Sequence, residues 1–98
     1  MAAVVVLEFE GIGKGEYDAV NAELGIDMDA GTGPWPDGLM SHVGAANDAG
    51  EFMVVEVWES PDAHATWMNG TLGPALGKVG VPAPIRVTWL DLIGYQTR

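Results

Sequence analysis

Glu51-Phe52-Met53-Val54-Val55-Glu56-Val57-Trp58-Glu59-Ser60-Pro61-Asp62 is the stretch on which the fold turns. Residues 51–58 are rich in β-branched and aromatic side chains and predict a strand. Successive strand side chains point to opposite sides. One face is therefore Phe52, Val54, Glu56 and Trp58, and the other is Met53, Val55, Val57 and Glu59. Both carry large apolar groups. Ser60-Pro61-Asp62 then starts a helix, with a Ser cap, Pro at the first helical position and an acid in the first turn.

Upstream, Asn47-Asp48-Ala49-Gly50 has hairpin-turn chemistry. Residues 39–46 read as its other strand, with Met40, His42 and Gly44 on one side and Leu39, Ser41 and Val43 on the other. Residues 26–38 are a Gly/Pro/Asp loop. Its single large aromatic, Trp35, is flanked by prolines and is expected to be covered. Tyr17, Val20 and Leu24 share one helix face, and Gly25 stops that helix. Gly11-Ile12-Gly13-Lys14-Gly15 is a turn that does not fit a dinucleotide fingerprint. Residues 4–9 form a buried strand.

Downstream, His64, Trp67, Met68, Thr71 and Leu72 follow at helical spacing, while Gly70 and Gly73-Pro74 predict a kink or break with a restart at Pro74. Residues 80–84 connect to a fourth strand over 85–93, and residues 95–98 form a tail. The order β-α-β-β-α-β is the split βαβ plan. It predicts an α+β, ferredoxin-like single domain over residues 1–98 with a four-stranded antiparallel sheet. The first and third strands are read as parallel neighbours.

Both helices of this plan lie on one sheet face. A sheet covered on one side alternates apolar and polar residues. The first and third strands do not alternate, so the second face is expected to be sealed by another copy of the chain. Such a homodimer buries on the order of 2,000 Å² or more.

The formal net charge is −10, from 14 acidic and 4 basic residues. Lys14, Lys78, Arg86 and Arg98 are too scattered to neutralise a phosphate backbone, which argues against nucleic acid and against anionic membranes. There is no cysteine, so disulfides and thiolate chemistry are excluded. The N-terminal apolar run lacks a basic leader and stops at Glu8, so a cytoplasmic location is the expectation.

His42 is the first candidate catalytic residue: a mid-strand imidazole among apolar neighbours, able to move a proton near neutral pH. A purely structural histidine, bonded to backbone or at a dimer seam, is the competing reading. Glu56 lies in an apolar face, where a carboxylate needs a partner or a proton. Glu8 is expected to share that face and form a carboxylate pair with it, unless Arg86 satisfies one of the two. Phe52, Trp58, Trp67 and Trp89 are candidate walls for a flat, hydrophobic small molecule. His64 reads as surface or core. Two histidines without cysteine, and Asp27 and Asp29 without EF-hand spacing, give no metal site.

Residues 4–9, 17–20, 38–43, 54–60 and 72–76 together resemble the dimeric α/β-barrel superfamily, and within it the small proteins grouped with antibiotic-biosynthesis monooxygenases. The resemblance spans nearly the whole domain but rests on fold signatures more than catalytic ones. It implies a barrel made by two facing sheets. The superfamily holds cofactor-independent oxygenases of aromatic polyketides, cyclases, decarboxylases and haem-degrading enzymes. Haem-degrading members place a His ligand downstream of a Trp on the second helix; here no His lies between Met68 and Val79, so no haem and no other cofactor is expected. The implied function is a cofactor-independent monooxygenase or cyclase using His42 and Glu56. The alternative is a non-catalytic binding or structural homodimer.

Overall fold

The computed structural model describes residues 2–97. Its elements are β1 (Ala3–Phe9), α1 (Lys14–Leu24), β2 (Leu39–Ala46), β3 (Phe52–Trp58), α2 (Pro61–Trp67), α3 (Gly73–Val79) and β4 (Arg86–Asp91). The Ser60 hydroxyl accepts the Ala63 N–H at 3.2 Å and so caps α2, as the Ser-Pro-Asp start predicts.

The interruption expected at Gly70 and Gly73-Pro74 is present as a widened turn, not as a break in the helix. A π-helical turn, Met68–Leu72, carries α2 directly into α3. Pro74 offers no N–H to an α-type ladder. The Gly73 N–H instead reaches back five residues to the Met68 carbonyl. A Cβ on Gly73 would stand 2.7 Å from that carbonyl oxygen, so only glycine leaves the widened turn intact.

The sheet order is β2-β3-β1-β4, and every neighbouring pair is antiparallel. The first and third strands are neighbours, but the parallel direction expected for them is wrong. The hairpin reverses β3 and inserts it between β1 and β2, which run parallel to each other.

Register assigns the faces. Val5 lies opposite Glu56, Leu7 opposite Val54 and Phe9 opposite Phe52. These side chains, with Trp58, pack beneath the helices against Val20, Ala75 and Val81. Burying each large member stabilises the fold by roughly 1.5–3 kcal/mol before the entropic cost of ordering. The opposite face carries Val4, Val6, Val55 and Val57, together with Val43, Met53 and Leu90, the last three at 52%, 38% and 52% exposure. No helix covers that face among the described residues. The chain after β4 crosses one end of the sheet. Leu92 N–H bonds the Ala2 carbonyl at 3.3 Å, and the Tyr95 hydroxyl reaches the Met40 carbonyl at 3.2 Å.

Candidate functional site

The site begins with an irregularity in β2. Leu39 pairs with Trp58, but Ser41 then pairs with Val57 and His42 with Glu56, leaving Met40 as an extra residue. A bulge of this kind shifts the alternation by one. Leu39 and His42 therefore lie on the same side of the sheet, both under the helices. The expectation that His42 faces away from Leu39 is corrected by this bulge.

Gly44, two residues on, shares the His42 face. A Cβ there would stand 2.9 Å from the Tyr17 ring. With no side chain in the way, the Tyr17 ring of α1 lies nearly parallel to the His42 ring, centroids 5.9 Å apart and planes 9° apart. Its hydroxyl bonds His42 Nε2. On the other side of the imidazole, His42 Nδ1 is 2.7 Å from Glu56 Oε2. The second oxygen, Oε1, accepts the Trp58 indole N–H at 3.1 Å. Glu56 is 4% exposed, so both of its oxygens are buried and both are partnered.

The donor inventory orders this chain. An indole N–H only donates, and a carboxylate accepts. In the neutral imidazole Nδ1–H donates to Glu56, Nε2 keeps its lone pair, and the Tyr17 hydroxyl donates to it. Burial holds the Tyr17 phenol above its ordinary pKa; the Asn21 amide pulls the other way, and the Glu56 charge adds to the rise. Tyr17 is thus protonated, not a standing phenolate.

These groups open on a cavity of about 170 Å³ lined by residues of a single chain and open on one side. Its floor is the helix side of the sheet, including Leu7, Val54 and Phe52, and its roof is α1 together with Trp67, Leu72 and Leu76. Residues 26–28 and 31–36 of the long loop form the mouth. That loop is pinned by paired backbone bonds between Asp27 and Thr32, 2.9 and 3.0 Å, and by Trp35 Nε1 donating to the Leu39 carbonyl at 2.6 Å. The ring of Trp35 is 61% exposed at this rim, not covered as predicted.

Of the residues singled out from sequence, His42, Glu56, Phe52 and Trp67 meet at the cavity. Trp58 lies beneath it, fully buried, and touches it only through Glu56. Trp89 is on the edge strand and packs against His64, away from the cavity. Glu8 does not share a face with Glu56: it lies opposite Met53, on the uncovered side, 3.5 Å from Arg86. The antiparallel register brings Val5, not Glu8, beside Glu56. His64 is core, set edge-on between Trp58 and Trp89 at 5.4 and 5.2 Å. Its Nε2 has no partner, and burial lowers its pKa against the opposing pull of Glu56. Tyr17 and Asn21 were missed. The available signal was an asparagine four residues after Tyr17, on the helix's apolar stripe. Among the described residues, no group of three or more His, Asp or Glu is placed to hold a metal ion.

The same fold is found in solved structures. The chain is similar to a Chloroflexus aurantiacus J-10-fl protein assigned as an antibiotic biosynthesis monooxygenase, at 17% identity and TM-score 0.68, over 99% of this chain and 98% of that one. It is similar to a variant of SnoaB, a cofactor-independent oxygenase from Streptomyces nogalater, at 16% identity and TM-score 0.59, covering 98% and 95%. A third likeness is to the Streptomyces coelicolor monooxygenase from the gene ActVA-Orf6, in complex with nanaomycin D, at 17% identity and TM-score 0.54, covering 99% and 90%. At these identities the likeness establishes a ferredoxin-like fold common to antibiotic-biosynthesis monooxygenase structures. No family model and no curated protein matches the chain. No helix among the described residues is long and apolar enough to cross a membrane.

Proposed function

We propose that the chain is a cofactor-independent oxygenase of hydrophobic, aromatic or polyketide-like small molecules, working by proton abstraction within its own cavity. The observation that carries this reading is the chain Tyr17–His42–Glu56 on the wall of an apolar cavity. A hydroxyl, an imidazole and a carboxylate in that order can accept a substrate proton without separating charge into the open. The substrate proton passes to the Tyr17 oxygen as the Tyr17 proton passes to His42 Nε2. Glu56 holds Nδ1–H and stabilises the imidazolium, and Trp58 holds Glu56 in place. Phe52 and Trp67 flank the ring system.

The substrate anion left behind is electron-rich enough to react with O₂. A ring methylene plus O₂ gives a ring carbonyl plus water, so the substrate supplies every electron and no external reductant is needed. SnoaB and the ActVA-Orf6 protein, which share the fold, support oxygenase over cyclase. The test uses a hydroxyanthrone, with oxygen consumption and quinone absorbance followed together. The wild-type chain should consume O₂, and His42→Ala should be slower by about 10²-fold or more. Product formation without oxygen uptake would make it a cyclase; no turnover of any enolisable polycyclic ketone would remove the proposal.

We further propose that the uncovered sheet face is sealed by a second copy, giving a homodimer. Val4, Val6, Val43, Met53, Val55 and Leu90 support it, because a contiguous apolar face of this size is unusual on a monomer. Ultracentrifugation at micromolar concentration should give a dimer, and a stable monomer would refute it.

A further inference from the structure

We propose that Tyr17 is a nucleophile that takes an acyl group from activated, hydrophobic esters, with His42 as its general base and Glu56 as the group that orients the base. This activity needs no oxygen, and it rests on the hydrogen-bonded chain itself rather than on the oxygenase reading. The Tyr17 hydroxyl bonds His42 Nε2, and His42 Nδ1 lies 2.7 Å from Glu56 Oε2. A hydroxyl on a base whose second nitrogen is fixed by a carboxylate is the arrangement that turns a weak hydroxyl into a nucleophile. Burial is graded along it. The Glu56 and His42 side chains are 5% and 15% exposed, whereas Tyr17 is half-buried. The acid and the base are shielded, and the hydroxyl is the member a substrate meets. The other buried histidine, His64, lies edge-on between two tryptophans, and its Nε2 holds no hydroxyl.

The Tyr17 oxygen attacks the ester carbonyl carbon as its proton passes to His42 Nε2. The bond from that carbon to the aryloxide breaks, and the aryloxide leaves with the electron pair and takes the proton from Nε2. Water then attacks the acyl group, its proton passing through His42 to the Tyr17 oxygen, and the carboxylic acid is released. The sum is ester plus water to acid plus phenol. Burial makes Tyr17 a weaker acid than an ordinary phenol, and a nitrophenol is a stronger one. The acyl group therefore moves downhill onto Tyr17 and leaves it slowly, so acylation outruns release. The cavity beside Tyr17 is walled by Leu7, Val54 and Leu76, which suits an apolar acyl chain.

The experiment mixes the full chain with p-nitrophenyl butyrate, follows p-nitrophenolate by absorbance and maps the butyryl group by peptide mass. The wild-type chain should release about one equivalent in a burst and then slow. The butyryl group should lie on Tyr17 and be removed by neutral hydroxylamine, which cleaves a phenolic ester and spares an amide. Tyr17→Phe keeps the ring that packs on Phe52 and should lose the burst. His42→Ala should acylate Tyr17 about 10²-fold more slowly. Lys14 and Lys78 are exposed, ion-paired amines, and butyryl found there and not on Tyr17 would overturn the proposal. A wild type without a burst, a Tyr17→Phe chain that keeps it, or a His42→Ala chain that acylates at the wild-type rate would overturn it too. The mapping is read on the wild-type chain, so it decides even where a variant fails to fold. Oxygen uptake without acyl-Tyr17 would sink this inference and leave the oxygenase standing. Acyl-Tyr17 without oxygen uptake would do the reverse.

Discussion

The two faces of the sheet use the same strands and nearly the same residue types, and they come to different ends. On the helix side, apolar side chains surround Glu56 and His42, and every oxygen of the acid is satisfied. On the other side the valines are as dense, but the charge is Glu8 beside Arg86, part-exposed near the edge strand. Hydrophobicity alone therefore does not mark the site. What marks it is a buried polar chain that the apolar wall makes expensive to break.

The comparison can be broken from either side. The largest effect is expected at the acid. Glu56→Gln keeps volume but removes the charge that holds the imidazolium, and turnover of a hydroxyanthrone should fall by about 10²-fold or more while the sedimentation coefficient stays unchanged. On the opposite face, Val55→Asp should shift the chain toward monomer in sedimentation velocity, with activity per folded chain retained, because the cavity belongs to a single chain. If activity disappears with the dimer, the site is shared and the separation of the two faces fails. Gly44→Val should push the Tyr17 ring off His42, costing about 1–3 kcal/mol in denaturant melts and part of the activity.

The smallest effect lies between the faces, at His64. Its folded pKa is below the ordinary 6.5, so the unfolded chain binds a proton first as pH falls. The stability contributed by keeping His64 neutral is complete above about pH 6.5 and is lost progressively below it. His64→Phe should keep the edge-on packing and flatten that part of the pH–stability curve. An unchanged acid limb would assign the slope to other groups.

Much of the architecture was legible because each element carries its own period. The β3–α2 junction announces itself through Ser60-Pro61-Asp62, and an acid in an apolar strand singles out Glu56 before any contact is known. Strand direction was harder, since it depends on where the hairpin is inserted and not on any one strand's composition. The bulge at Met40 was invisible, because a bulge is a property of a pairing: β2 alone reads as regular alternation, and only the Leu39–Trp58 and His42–Glu56 registers together expose the extra residue. Tyr17 was concealed by its fit to the helix stripe. It packs as core on Phe52, ring centroids 5.1 Å apart, while its hydroxyl serves the imidazole.

The Met68–Leu72 turn leaves the chain with one residue more than an uninterrupted α-helix needs. In a regular helix, positions five apart diverge around the axis; here Trp67, Leu72 and Leu76 all point at the same hollow. Winding the same residues as an uninterrupted α-helix would rotate its whole second half by about 100°. Leu72 and Leu76 would then swing off the cavity, whereas deleting one residue of the turn, Gly70 for instance, would let the helix regularise with both leucines still on the Trp67 face.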